Sequence, residues 1–133
     1  ADGYPIANAV APGKRPRSSM SPSIVLKDDK PVLVIGSPGG SRIIGYVAKA
    51  IIGHLDWGLD VQQAVALPNI INRFGPLDIE AGGSATGMAQ ALSDIGFEVN
   101  ETELNSGLQG IAITPEGLEG GADPRREGIA LGG

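Results

Sequence analysis

Two adjacent glycines, Gly39 and Gly40, stand where an apolar run ends and an amphipathic run begins. The run 32–35 (Val-Leu-Val-Ile) has no polar position and reads as a strand buried on both faces. Over 42–55 the apolar residues Ile43, Ile44, Val47, Ala48, Ile51, Ile52 and Leu55 recur at spacings of three and four, which predicts a helix with one face on the core. Gly36-Ser37-Pro38-Gly39-Gly40-Ser41 must therefore turn the chain sharply between the two. Residues without a Cβ let a backbone approach another group closely and aim successive N–H donors at one point. A helix N-terminus behind them adds partial positive charge. Such a loop can receive an anion or an oxyanion, or it can be a tight turn and helix cap that holds nothing. It is not a P-loop, because no lysine stands at the required place, and its glycine spacing is not that of the dinucleotide fingerprint.

The rest of the chain reads around this loop. Residues 1–21 are rich in Pro, Gly and Ser and predict irregular chain. Strands are expected at 22–27 and 32–35, joined as an antiparallel hairpin through Asp28-Asp29-Lys30. A short helix is expected over 61–66, with Asp60 as N-cap and Pro68 as its stop. Short strands follow at 69–74 and 77–80. Met88, Ala91, Leu92 and Ile95 then predict a helix over 86–95 that ends at Gly96. Strands at 97–101, 110–114 and 118–123 complete the order, the last two turning at Pro115-Glu116-Gly117. Hairpins outnumber βαβ units, so the expected class is α+β, with a mostly antiparallel sheet and helices on one side.

Composition removes several functions. The chain has 133 residues, 21 of them Gly and 10 Pro, yet the glycines cluster instead of falling every third position, so this is not collagen. Apolar residues at 41% are enough for a core, and the length suits one domain. Net charge is −5, and no Lys or Arg occurs between Arg73 and Arg125, which argues against a nucleic-acid surface. With no Cys and one His, neither a metal site nor a cysteine nucleophile is expected. No apolar stretch is long and unbroken enough for a membrane span.

Few residues remain for chemistry. Ser18 and Ser19 are adjacent hydroxyls that could donate to both oxygens of a carboxylate, with Lys14, Arg15 and Arg17 nearby. The same stretch also reads as a solvated basic loop. His54 lies near the end of an amphipathic helix and is expected to be structural. Asp28-Asp29 and Glu101/Glu103 are expected in solvent, and Asp123-Pro124-Arg125-Arg126 as an ion-pair knot without a catalytic role. The residues thus offer a receptor for negative charge and no evident nucleophile or base.

Three stretches resemble one family in order and spacing. Arg15-Pro16-Arg17-Ser18-Ser19-Met20-Ser21-Pro22 resembles the serine-pair segment of the gamma-glutamyltransferases (gamma-glutamyltranspeptidases). Val34-Ile35-Gly36-Ser37-Pro38-Gly39-Gly40-Ser41-Arg42-Ile43 resembles their glycine loop. Gly121-Ala122-Asp123-Pro124-Arg125-Arg126-Glu127-Gly128 resembles the C-terminal signature of the bacterial members. The resemblance implies that 1–133 is a single, incomplete domain, the later part of the small C-terminal subunit. The expected fold is then part of the αββα four-layer sandwich of the N-terminal nucleophile hydrolases.

It also implies a reaction. A precursor cleaves itself, and the new N-terminal Thr of the small subunit attacks a γ-glutamyl amide such as glutathione. The acyl group then passes to water, an amino acid or a peptide. In that scheme the backbone N–H groups of Gly39 and Gly40 form the oxyanion hole, and Ser18 and Ser19 hold the substrate α-carboxylate. No cofactor is expected. The expected partners are the large subunit and the upstream part of the small subunit, and the expected setting is periplasmic or secreted. This sequence departs from the family in two ways. Its only threonines, Thr86, Thr102 and Thr114, do not match the nucleophile segment, which is expected to lie outside these residues, leaving the isolated chain inactive. Arg17 stands where an aliphatic residue is common in the family, and is expected to face solvent. Two other readings stay open: a related acylase of the cephalosporin acylase kind, and a non-catalytic module that binds a small carboxylate or anion.

Overall fold

The computed structural model describes residues 9–132. The irregular reading of 1–21 falls partly outside them; within 9–21 the chain forms one turn at Pro12-Gly13 and no helix or strand. Ser23–Lys27 (β1) and Lys30–Gly36 (β2) form the expected antiparallel hairpin. Its two turn residues, Asp28 and Asp29, have φ of 51° and 60°, the left-handed pair that a two-residue hairpin needs. Gln109–Thr114 (β6) pairs antiparallel with β2, and Gly117–Ala122 (β7) with β6, so the larger sheet has the order β1-β2-β6-β7.

Two helices cover one face of this sheet. The helix α1 (Ile43–Leu55) buries Ile43, Tyr46, Val47 and Ala50. The helix α2 (Val61–Ala66) starts at Asp60, whose carboxylate accepts from Gln63 N–H while the Gln63 side chain accepts from Asp60 N–H. This reciprocal cap satisfies two orphan donors of the first turn. Gly121 lets α2 lie directly on β7, since a Cβ there would fall 2.7 Å from Val61 Cγ1 and 2.9 Å from Gln62 N. Gln62 then acts as one more strand residue, its amide pairing with both the N–H (3.0 Å) and the C=O (2.9 Å) of Ala122. Leu33, Ile35, Val47, Val61, Val65, Leu108 and Ala112 form the core between the layers.

The opposite face corrects one expectation. In β2 only Leu33 and Ile35 are buried, whereas Val34 is 40% exposed. Val34, Ile111, Leu118, Ile24 and Leu26 all lie exposed on strands of this sheet. A run apolar at every position marks a strand for burial on two faces, and here the helices supply only one cover.

The second correction concerns topology. Ile70–Ile71 (β3), Leu77–Glu80 (β4) and Val99–Thr102 (β5) make a separate three-stranded sheet. Its β4–β5 pair is parallel, with the connection passing through α3 (Ala89–Asp94), so the chain contains a βαβ unit that counting hairpins missed. The strand expected at 69–74 shrinks to β3. Asn69 turns its side chain into the interior, and Asn72 reaches back to the carbonyl of Gly75 at 2.9 Å. The helix expected over 86–95 begins instead as a 3₁₀ turn, Ser84–Met88, and only then becomes α3. Its inward stripe is buried Ala85 with half-buried Ala89 and Leu92, while Met88 and Ile95 stay exposed. Gly96 ends it with φ of 100°, as expected.

Candidate functional site

The glycine loop leaves β2 and enters α1 through one short 3₁₀ turn, Gly40–Arg42. Both glycines have positive φ, 138° at Gly39 and 59° at Gly40, a succession that L side chains resist. Gly39 is also closed from below: a Cβ would lie 2.6 Å from Cε2 of buried Tyr46. Around Gly40 nothing lies within 4 Å of such an atom. The carbonyls of Gly39 and Gly40 accept from Arg42 and Ile43 in the turn. No hydrogen bond among the described residues uses the N–H of either glycine. The loop therefore presents two consecutive free donors at the head of a 13-residue helix.

Ser18 and Ser19 lie at the same end of the sheet. The β1–β2 register sets Ser23 opposite Ile35, so the chain entering β1 runs beside the chain leaving β2, and Pro22 Cα lies 4.0 Å from a Cβ built on Gly36. Ser18 is exposed and its Oγ accepts from Met20 N–H at 3.2 Å, which leaves its own O–H free to donate elsewhere. Ser19 is half-buried. No hydrogen bond among the described residues joins either serine to Gly39 or Gly40; the register places Pro22, which follows Ser19 by three residues, beside Gly36.

Behind the glycine loop runs a polar network that only its last members announced in sequence. Ser37 Oγ accepts from Gly107 N–H at 3.2 Å. Ser106 Oγ donates to Asp123 Oδ2 at 2.5 Å, and Leu108 N–H donates to the same oxygen at 3.1 Å. Asn69, fully buried, donates to Ser106 Oγ at 3.0 Å and accepts from Lys49 Nζ at 3.0 Å. Arg125 binds Asp123 Oδ1 at 3.0 Å, both oxygens of Glu80, and the carbonyls of Ala66 and Leu67 at the end of α2. Arg126 donates to the carbonyls of Asn105 and Ser106. The expected ion-pair knot is present, and it fixes the segment 104–108 on which Ser37 rests.

This burial shifts protonation. Desolvation, helped by the Arg125 charge, lowers Lys49 to about 8. Asp123 is also desolvated, but hydrogen bonds from Ser106, Leu108 and Arg125 outweigh this and hold its carboxyl below the usual range. A second carboxylate, Asp78, lies beside the loop's exit. It accepts from Asn100 Nδ2 at 2.9 Å and from Arg42 Nη2 at 2.9 Å, and these two bonds lower its pKa. Arg73 donates to Ser41 Oγ at 2.8 Å from the same cluster. His54 bonds the carbonyl of Leu59 through Nδ1 at 2.8 Å, a helix-end contact in keeping with its structural reading. Among the described residues no group of His, Cys, Asp and Glu is arranged to hold a metal ion.

Residues 2–133 match the family model described as Gamma-glutamyltranspeptidase. The glutathione hydrolase proenzyme of Escherichia coli is 44% identical over 122 residues, covering 90% of this chain and 21% of that protein. The crystal structure of an acivicin-inhibited gamma-glutamyltranspeptidase superposes with a TM-score of 0.82 at 36% identity, covering 93% of this chain and 69% of that one. An acylase ACY 1 proenzyme from Pseudomonas is 34% identical over 131 residues, covering 96% of this chain and 23% of that protein. The chain thus spans about a fifth of the length of the curated relatives it matches.

Proposed function

The chain belongs to the gamma-glutamyltranspeptidase family, and on that premise we propose that it supplies two receptors to a larger enzyme that transfers γ-glutamyl groups. The N–H groups of Gly39 and Gly40 receive the oxygen that becomes negative when a nucleophile adds to the γ-carbonyl. Ser18 and Ser19 hold the α-carboxylate of the γ-glutamyl group. The nucleophile is a Thr outside these residues. Its Oγ forms an ester with the carbonyl carbon of the γ-glutamyl amide, the C–N bond breaks, and the amine leaves with the proton that the Thr hydroxyl gave up. Water, an amino acid or a peptide then takes the acyl group and restores the Thr. The large subunit and the upstream part of the small subunit complete the site, glutathione is a substrate, the assembly is periplasmic or secreted, and the 133-residue chain alone is inactive.

The observation that supports this most directly is the pair of free N–H donors on consecutive positive-φ glycines at a helix head. A donor must sit preformed where charge develops, and here both donors are backbone N–H groups and not the tips of mobile side chains. The identity to the Pseudomonas acylase keeps a second reading, an amidase of the cephalosporin acylase kind, which would use the same oxyanion donors.

One assay separates the two. The full-length precursor is matured and given a γ-glutamyl anilide and an acyl anilide that lacks the α-amino and α-carboxyl groups. In the first reading only the γ-glutamyl anilide is cleaved efficiently, and Ser18→Ala with Ser19→Ala raises its KM. Each lost charge-assisted hydrogen bond costs about 1.5–3 kcal/mol. Equal cleavage of both anilides, with kinetics unmoved by the double substitution, favours the acylase. No cleavage of either by a matured protein leaves a carboxylate-binding module.

A further inference from the structure

Ser37 makes two hydrogen bonds that bear on the direction of one peptide group. Its Oγ donates to the carbonyl of Pro38 at 2.7 Å and accepts from Gly107 N–H at 3.2 Å. A hydroxyl can do both at once. The Pro38 carbonyl and the Gly39 N–H belong to the same peptide unit. That unit is planar, and among the described residues no peptide bond is cis, so carbonyl and N–H point in opposite directions. Holding the carbonyl therefore aims the N–H.

We propose that Ser37 is a positioning residue that aims the Gly39 N–H at the reacting oxygen, acting as a strut between the loop and the buried segment 104–108; this rests on the oxyanion reading above. The aim needs fixing, because Gly39 has φ of 138° and a glycine peptide has more freedom to rotate than any other. The far end of the strut is rigid. Gly107 is buried, and its neighbours Ser106 and Leu108 are both bonded to Asp123 Oδ2. Pro38 packs on the same glycine: a Cβ on Gly107 would fall 2.7 Å from Pro38 Cγ. Ser37 touches no substrate in this scheme. It acts through the Pro38–Gly39 peptide, so its loss falls on the transition state and spares ground-state binding.

The test uses the full-length precursor after maturation, with Ser37→Ala and Ser37→Thr. The expected result for Ser37→Ala is a fall in kcat of about 10- to 100-fold, smaller than or comparable with outright loss of an oxyanion donor. The donor KM stays within about twofold, as for an interaction made only in the transition state. Inhibition by a boronic acid analogue of the γ-glutamyl group, which becomes tetrahedral on the nucleophile, weakens in parallel with kcat. Inhibition by glutamate does not change. Ser37→Thr, which keeps the hydroxyl, restores most of the activity. If Ser37→Ala does not mature, Ser37→Cys, with its weak S–H donor, is given the same measurements. Unchanged kcat, or a loss confined to KM, overturns the inference. A crystal structure of the matured wild-type enzyme with the boronate separates the two ways to fail. A boronate oxygen seated away from Gly39 and Gly40 removes the oxyanion reading itself. An oxygen on their N–H groups, together with unmoved Ser37→Ala kinetics, removes only the role of Ser37.

Discussion

The guanidinium of Arg125 lies across the carboxylate of Glu80, Nε to Oε1 at 2.5 Å and Nη2 to Oε2 at 2.8 Å. Both side chains are mostly buried, at 14% and 17% exposure. This bidentate pair ties the chain after β7 to the last residue of β4, and so joins the two sheets. Arg125→Ala leaves the Glu80 carboxylate and the α2 carbonyls short of a partner. Removing one member of a buried pair costs about 3–5 kcal/mol. The full-length protein should therefore melt at a clearly lower temperature. Arg125→Lys should recover little, because an ammonium cannot span two carboxylate oxygens and the α2 carbonyls together. A melting point unmoved by Arg125→Ala would show that the pair is not structural.

The glycine pair should respond unequally to a methyl group. Gly40→Ala meets open space and pays only for its left-handed backbone, about 1–2 kcal/mol. It keeps its N–H, so the matured enzyme should retain kcat within several-fold. Gly39→Ala drives its Cβ into the Tyr46 ring and is strained in φ as well. It should be the more destabilising by at least about 1–3 kcal/mol, the usual cost of forcing atoms into a packed site. Thermal melting of the two variants side by side checks the order.

Lys49 gives the stability curve an alkaline limb. Its folded pKa of about 8 lies below the ordinary lysine value of 10.5, because of desolvation and the Arg125 charge. Between those two values the unfolded chain binds more protons than the folded one, so stability rises with pH across that window. Below about pH 8 the ammonium is present in both states and its burial cost is fully felt. Lys49→Met should abolish this rise, at the cost of leaving Asn69 Oδ1 without its Lys49 donor and the Leu67 carbonyl with Arg125 alone. Denaturant unfolding of both proteins from pH 7 to 10.5 measures the difference in slope.

Asp78 should shape the acid limb. The bonds from Asn100 and Arg42 depress its pKa, so its contribution is present above the ordinary carboxylate value and is lost as pH falls through the depressed one. Asp78→Asn removes the charge that faces Arg42 and Arg73. Hydrogen bonds to a charged group are worth about 1.5–3 kcal/mol each. The variant should unfold more readily at neutral pH, and the gap from wild type should close towards low pH. An unchanged gap at low pH would mean that the Asp78 charge is not what matters.

Much of the site was legible because its signals are local. Gly39-Gly40 between an apolar run and an amphipathic one needs no partner to be recognised, and Asp60 stands directly before the helix it caps. Ser37 was passed over because its partner, Gly107, is 70 residues away and marks nothing by itself. Asn69, Ser106 and Glu80 were missed for the same reason: no spacing rule places a buried asparagine against a serine 37 residues on. The parallel β4–β5 pair was missed although both strands and the helix between them were read, because counting hairpins does not say which strands pair.

The sequence by itself determined the strand–glycine loop–helix unit and the hairpins at Asp28-Asp29 and Pro115-Glu116, because each depends on backbone preferences of adjacent residues. It also marked β2 as apolar on two faces. Tertiary structure decided which face the helices cover and which stays open, how two sheets share one polar network, and where the N–H of Gly39 points. Those outcomes depend on hydrogen bonds and packing between segments far apart in the chain. Their geometry is set only when the desolvated groups must find each other.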